Sequence, residues 1–140
     1  MIEKLTVSAT INSLKIITEY IVKVANLGGL DKKATYKLRL ATDELATNII
    51  NYAYTENNGV GDILFESEIS DEVIMIKIKD LGIPFDPTTK LETELKTINI
   101  PIEERKIGGL GIFLVFDGVD QFFYERIDNE NISTLIIYRK

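Results

Sequence analysis

Three polar side chains lie on one edge of the longest amphipathic segment of the chain. Because successive residues of an α-helix turn by about 100°, Glu44, Asn48 and Asn51 fall within an arc of about 60° beside an apolar stripe. A carboxylate there can orient a hydroxyl group or a water molecule, and an amide oxygen is a hard ligand for Mg²⁺. The pattern is also typical of boundary residues between a core and solvent, so by itself it is a weak signal.

A second candidate lies where an apolar strand ends. Asp80 closes the strand, and Gly82 follows it in a run that also contains Pro84. A carboxylate at this place can accept a hydrogen bond from the amino group of a nucleotide base, and a glycine lets the backbone approach a ligand closely. The alternative is a plain strand-ending turn, because Asp, Gly and Pro are common turn residues for local conformational reasons.

A third candidate is a glycine-rich run that opens an apolar helix, with Gly108, Gly109 and Gly111. The free amide groups and the dipole of a helix start suit a phosphate. The spacing matches neither the Walker loop nor the dinucleotide fingerprint, and a flexible hinge or tight helix packing are the alternatives. The order of the three motifs is more informative than any one of them.

Hydrophobic periodicity predicts the elements that must position these residues. The second helix begins at an Asp31 cap and carries an apolar stripe through Leu38, Ala41, Leu45, Ile49 and Tyr52 that should pack on the sheet. The segment 81–106 has no periodicity, and a connection of that length is usually functional or mobile. Strands are predicted over residues 4–9, 62–69, 73–79, 119–126 and 132–139, the last two joined by a turn over 128–131, and helices over 11–26, 31–53 and 108–116.

The composition narrows the chemistry. The 140 residues, 45% of them apolar, fit one domain with one core, and 16 basic against 22 acidic residues give a net charge of −6. That charge disfavours direct binding to nucleic acid or anionic lipid. The absence of Cys and His excludes thiol chemistry, histidine bases and phosphohistidine within this chain. No apolar run has signal or membrane-spanning length, so we expect a cytoplasmic protein without a membrane contact.

In sequence order, the three motifs resemble the Bergerat-fold (GHKL) ATPases over nearly the whole chain. The runs GIPFDP (82–87) and ERKIGGLGIFL (104–114) look most like the anti-sigma-factor serine/threonine kinases of the RsbW and SpoIIAB type. The resemblance implies a single histidine-kinase-like ATPase domain over residues 1–140, with an ATP lid at about 83–107. The implied fold class is an α/β (α+β) two-layer sandwich, a mixed and mainly antiparallel sheet with helices on one face.

By this resemblance, Glu44 is the general base, Asn48 ligates Mg²⁺, Asp80 binds the amino group of adenine, and Gly82 shapes the base pocket. Arg105 reaches a phosphate, with a solvated surface arginine as the alternative. The phosphates are lined by three glycines, Gly108, Gly109 and Gly111. Two positions depart from the common pattern: Pro84 replaces a second glycine, and Tyr52 stands where many relatives carry histidine.

The function implied by the resemblance is an ATP-dependent protein serine/threonine kinase that acts as an anti-sigma factor. Its partners would be an anti-anti-sigma protein of the STAS type and a sigma factor, and its apolar N-terminal strand and helix would pair with a second copy in a homodimer. An ATP-gated protein-binding module without kinase activity is the alternative. A stand-alone ATPase ranks last, because the chain lacks the additional domains of such machines.

Overall fold

The computed structural model describes residues 1–54, 61–89 and 111–139. The strands in these ranges are β1 (Ile2–Ser8), β2 (Asp62–Ile69), β3 (Val73–Asp80), β4 (Gln121–Ile127) and β5 (Glu130–Tyr138). The α-helices are α1 (Leu14–Leu27), α2 (Lys32–Asn48) and α3 (Gly111–Asp117). A 3-10 turn (Ile11–Ser13) precedes α1, and a π-helical segment (Ile49–Tyr54) continues α2.

The strands form one sheet in the order β1-β2-β3-β5-β4, and every pairing among the described strands is antiparallel. Alternate residues of β3, namely Ile74, Ile76 and Ile78, are fully buried, as expected for a sheet with one covered face. On the opposite face the Glu66 carboxylate lies between two lysine side chains. Its Oε2 is 3.4 Å from Nζ of Lys4, and its Oε1 is 4.0 Å from Nζ of Lys79. The predicted α+β two-layer fold, with helices on one face of a mainly antiparallel sheet, is confirmed. The sheet was expected to be mixed, but its described strands are all antiparallel.

The core lies between the helices and the covered face of the sheet. Ile17 and Ile21 of α1 and Leu45 of α2 are fully buried, as is Phe65 of β2. Each such side chain stabilises the fold by about 1.5–3 kcal/mol through burial. The Tyr20 hydroxyl adds a polar connection from α1 to the sheet.

That hydroxyl donates to the Glu3 carbonyl at 2.9 Å and shares a 2.6 Å hydrogen bond with the hydroxyl of Ser67. Burial raises the pKa of the Tyr20 phenol. The phenol therefore stays neutral, and its hydrogen bonds join α1 to β1 and β2.

Helix α2 begins as predicted, because the Asp31 carboxylate accepts a 2.8 Å hydrogen bond from the amide of Ala34. After Asn48 the helix continues with π-helical winding, which changes the face that each residue presents. Ala53 and Tyr54 are buried, whereas Tyr52 is partly exposed. The prediction that Tyr52 extends the apolar stripe is therefore wrong.

For the same reason, Asn51 is exposed and does not share the edge occupied by Glu44 and Asn48, contrary to the expected arc of three polar residues. The π-helical winding begins between Asn48 and Asn51, so the ideal α-helical angle does not apply across that step. Only Glu44 and Asn48 keep the predicted relationship.

The β4–β5 hairpin is tighter than predicted. Its turn contains only Asp128 and Asn129, both with positive φ, 50° and 69°, as a type I′ turn requires. The predicted turn over 128–131 was two residues too long. Strand β5 consequently starts at Glu130, and Asn131 lies inside the sheet, directly opposite Asp80.

Candidate functional site

Asp80 lies at the end of β3 with only 3% of its surface exposed. Its Oδ1 atom accepts two hydrogen bonds of 2.9 Å, one from the amide of Gly82 and one from Nδ2 of Asn131. Within the described ranges, both hydrogen bonds to this carboxylate end at Oδ1. Oδ2 is thus the oxygen that a ligand can use.

Burial raises the pKa of the Asp80 carboxyl above its usual range. The hydrogen bonds from Asn131 and Gly82 and the positive charge of Arg126 act in the opposite direction, and Glu130 adds to the increase. A buried carboxylate with a perturbed pKa at the end of a strand is typical of functional sites. The role of Asp80 as an acceptor for the amino group of a base stays a prediction.

Gly82 is buried because the turn packs against the π-helical segment. A Cβ atom at this position would lie 2.5 Å from the Ala53 carbonyl oxygen, and the amide of Ile83 donates to that oxygen at 3.0 Å. Next to it, the Tyr54 hydroxyl accepts from the amide of Leu81 at 2.6 Å. The contact with Ala53 explains the glycine, while a role for Gly82 in shaping a base pocket stays a prediction.

Asn131 is a buried residue that sequence reasoning missed. Its Nδ2 donates to Asp80 and also to the Ile83 carbonyl at 2.8 Å. Its Oδ1 accepts from the amide of Phe85 at 3.2 Å and from the Tyr124 hydroxyl at 2.5 Å. The signal that would have revealed it is the Asp-Asn pair at 128–129, which fits a two-residue hairpin turn and sets the register of β5.

Glu44 and Asn48 lie one turn apart on α2. Nδ2 of Asn48 donates to the Glu44 carbonyl at 2.7 Å. Because a carbonyl can only accept, this contact fixes the orientation of the amide and leaves Oδ1 for another partner. Asn48 is 8% exposed, so that oxygen is held in a largely desolvated position.

Helix α3 starts directly beside the Glu44 carboxylate. A Cβ atom on Gly111 would meet Oε2 of Glu44, so a side chain at this position would displace the Glu44 carboxylate. The structure therefore places the predicted base and one glycine of the predicted phosphate motif side by side. Arg105, Gly108 and Gly109, and most of the predicted lid at 83–107, lie outside the described residues.

The two halves of the site are connected through the end of α2. The rings of Tyr52 and Phe85 are stacked, with centroids 5.7 Å apart and an interplanar angle of 12°. Ala53 receives the hydrogen bond from Ile83 described above. The helix that carries Glu44 and Asn48 is thus fixed to the turn that begins at Asp80.

The described residues contain no group of three or more His, Cys, Asp or Glu side chains that could hold a metal ion. The donor suited to a hard cation is the amide oxygen of Asn48. A single protein oxygen of this kind fits Mg²⁺, which keeps several waters and is usually bound together with substrate phosphates.

Comparison with known proteins identifies the family. The profile of the histidine kinase-like ATPase domain matches residues 7–137. The chain belongs to this family. It is also 39% identical over 84 residues to the serine-protein kinase RsbW of Staphylococcus aureus strains MSSA476 and MW2, which covers 59% of the chain and 53% of the relative. RsbW of strain JH9 is 38% identical over the same length.

The chain spans about half the length of the curated relatives it matches. The predicted resemblance to the Bergerat-fold ATPases of the RsbW type is confirmed by these matches. Among helices in the described ranges, none has the length and apolar character needed to cross a membrane.

Proposed function

We propose that the chain binds ATP with Mg²⁺ and transfers the γ-phosphoryl group to a serine or threonine of a partner protein. The observation that carries the proposal is the buried Asp80 carboxylate, whose Oδ1 is satisfied by the protein and whose Oδ2 is left for a ligand. The similarity to proteins named serine-protein kinase supports the second half of the proposal.

At the end of the site that would hold the adenine ring, Oδ2 of Asp80 would accept a hydrogen bond from the amino group of adenine. Guanine carries a carbonyl oxygen at the equivalent ring position, so two acceptors would face each other. A buried polar group left without its partner costs about 1–3 kcal/mol, which is enough to favour adenine clearly.

At the phosphate end, Asn48 would supply one amide oxygen to Mg²⁺, and the remaining ligands would be phosphate oxygens and water. When bound, the ion would neutralise charge on the phosphates. Gly108, Gly109 and Gly111 would place backbone amides near the phosphates, and Arg105 would add a charge-assisted hydrogen bond.

For transfer, Glu44 would accept the proton of the partner's hydroxyl group. The hydroxyl oxygen then bonds to the γ-phosphorus while the bond from that phosphorus to the β–γ bridging oxygen breaks, which gives the phosphorylated partner and ADP. The position of the Glu44 carboxylate beside Gly111, at the start of α3, supports this assignment.

We further propose that the chain is a single domain over residues 1–140, with its lid at about 83–107, that works in the cytoplasm as an anti-sigma factor. Its partners would be a STAS-type anti-anti-sigma protein and a sigma factor, without direct contact to nucleic acid. A homodimer is supported by the edge position of β1 and by the exposed apolar side chains of Ile2, Ile11 and Ile16.

Isothermal titration calorimetry with Mg²⁺ and ATP tests the nucleotide site. The native chain should bind in the micromolar range, and Asp80→Asn should lose about tenfold or more in affinity, because the new amide group can place a donor against the amino group of adenine. Asp71→Asn, in the exposed turn between β2 and β3, is the matched control. No binding by the native chain would overturn the proposal.

A further inference from the structure

Residues 80–85, which we call the Asp80 turn, are held to the β4–β5 hairpin mainly by side chains. Asn131 of β5 makes hydrogen bonds to Asp80, Ile83 and Phe85. Arg126 of β4 donates from Nη1 to the Gly82 carbonyl at 2.7 Å. On the side of the hairpin, the shape of the turn therefore depends on these two residues.

The contact from Asn131 fixes the plane of the Asp80 carboxylate, so that one oxygen is bonded to the protein and the other is left for a ligand. Asn131 lies opposite Asp80 in the β3–β5 register, and its Nδ2 occupies Oδ1 at 2.9 Å. Oδ1 also accepts from the Gly82 amide, so turning the carboxyl plane away from these two donors would break two hydrogen bonds at a buried position. Oδ2 is kept facing outward before any ligand arrives.

Asn131 is itself held in one orientation. Its Nδ2 donates to the Asp80 carboxylate and the Ile83 carbonyl, and its Oδ1 accepts from the Tyr124 hydroxyl and the Phe85 amide. Exchange of the amide oxygen and nitrogen would set two acceptors against Oδ1 and the Phe85 amide against Nδ2. Asn131 is 3% exposed, so this mismatch would occur at a buried position. The amide can therefore act as a fixed donor toward Asp80.

Arg126 contributes both a hydrogen bond and a charge. Its guanidinium fixes the Gly82 carbonyl, and its positive charge lowers the pKa of Asp80 against the effect of burial. The negative charge of Glu130, next to Asn131 on β5, acts in the opposite direction and raises the pKa of Asp80. Two phenols, Tyr54 from the π-helical segment and Tyr124 from β4, also interact with Asp80, and burial keeps both neutral by raising their pKa.

We propose that Asn131 and Arg126 are positioning residues that hold the Asp80 turn in the shape needed to select an adenine base. The proposal rests on the nucleotide binding proposed above and adds the residues that set its specificity. Neither side chain needs to touch the base. Their effect is preorganisation, since a turn already held in its bound shape loses less conformational freedom on binding.

The test measures ATP and GTP affinity by calorimetry over a pH series, using Asn131→Asp and Arg126→Met. Asn131→Asp keeps the size of the side chain but replaces the donor toward Asp80 with a second acceptor. ATP affinity should fall by about tenfold or more, as expected for a lost hydrogen bond to a charged group, with a much smaller change for GTP. The preference for adenine should therefore shrink.

Arg126→Met removes the charge and keeps much of the apolar stem. The acid midpoint for loss of ATP binding should then move to higher pH, because Asp80 loses its stabilising cation. Arg126→Lys should restore the native midpoint while leaving affinity reduced. A purely structural role for Arg126 would lower affinity without moving the midpoint. Arg39→Met, an exposed arginine on α2 with a 3.9 Å contact to Asp43, is the control.

The outcomes separate the two proposals. If the native chain binds no nucleotide, the proposed function fails. If the native chain binds ATP and folded Asn131→Asp and Arg126→Met bind it with native affinity, base preference and acid midpoint, then only the positioning roles are overturned. If Asn131→Asp does not fold, the Arg126 series decides, because Arg126 is only partly buried.

Discussion

Gly82 packs directly against the backbone of Ala53, so closely that a Cβ atom would lie 2.5 Å from the Ala53 carbonyl oxygen and 2.6 Å from its Cβ. The contact joins the strand that ends in Asp80 to the helix that carries Glu44 and Asn48. The geometry of a nucleotide site across these two elements therefore depends on a position with no side chain.

Gly82→Ala should destabilise the protein by about 1–3 kcal/mol, the usual cost of inserting a methyl group into a closely packed place. It should also weaken ATP binding, because Asp80 and the turn must move away from Ala53. Urea denaturation and calorimetry measure the two effects. Gly29→Ala is the comparison, because Gly29 has a φ of 75° and no atom nearer than 3.9 Å to an added Cβ, so its cost is conformational. That variant should lose stability without weakening ATP binding. Native stability in Gly82→Ala would contradict the packing argument.

The raised pKa of Asp80 predicts opposite effects of pH on stability and on binding. In the unliganded protein the pKa of Asp80 is higher in the folded state than in the unfolded state. The buried charge therefore costs no stability below the unfolded pKa, and its full cost is present above the folded pKa. Asp80→Asn should therefore gain stability relative to the native chain as pH rises through this window. Thermal unfolding of both proteins across the acid range measures the difference.

ATP binding needs the ionised carboxylate and should weaken as pH falls through the folded pKa of Asp80. The midpoint should lie above the ordinary aspartate value of 3.8. Calorimetry on the native chain gives this midpoint, and thermal unfolding at each pH shows that the protein remains folded. A midpoint at or below the ordinary value would contradict the assigned environment of Asp80.

Glu44→Gln should abolish phosphorylation of a partner protein and leave ATP affinity within about threefold of the native value. Removal of a general base usually lowers the rate by about 10²–10⁴, whereas the amide keeps the size of the side chain beside Gly111. Transfer of radiolabelled phosphate to the partner gives the rate, and calorimetry gives the affinity. Glu19→Gln, an exposed glutamate on α1, is the matched control.

Undiminished transfer by Glu44→Gln would exclude the general-base role. If the native chain binds ATP and its partner but transfers no phosphate, the alternative of an ATP-gated binding module without kinase activity is supported.

The features that follow local rules could be predicted from the sequence. Strand β2 was predicted over 62–69 and is found at Asp62–Ile69, because its alternation directly reflects one buried face. Asp31 was predicted to cap α2 and does so. Glu44 and Asn48 keep their predicted relationship, because they lie in regular α-helix.

The features that depend on distant contacts could not be predicted in the same way. The winding after Asn48 becomes π-helical where Ile83 and Gly82 dock against Ala53, a contact across thirty positions of sequence that no local pattern contains. The role of Asn131 depends on the hairpin register. With the turn predicted two residues too long, Asn131 fell outside the strand and could not be seen opposite Asp80.

Asn48→Ala should remove the part of ATP affinity that depends on Mg²⁺. Asn48 fits a single oxygen ligand because Nδ2 is occupied by the Glu44 carbonyl at 2.7 Å and Oδ1 is left for the ion. The native chain should therefore bind ATP more tightly with Mg²⁺ than with a chelator, and the variant should bind about equally in both. Calorimetry under the two conditions measures the ratio.

Thr47→Ala is the control for Asn48→Ala, because the hydroxyl of Thr47 makes the corresponding hydrogen bond to the Asp43 carbonyl, at 2.7 Å, on the same turn of α2. It removes a similar intrahelical contact without removing the proposed ligand, so it should keep the native Mg²⁺ dependence. If both variants lose affinity equally in Mg²⁺ and in chelator, the effect comes from the helix and not from the ion. Asn48 would then serve to hold the end of α2, and the Mg²⁺ ligand would have to be sought elsewhere.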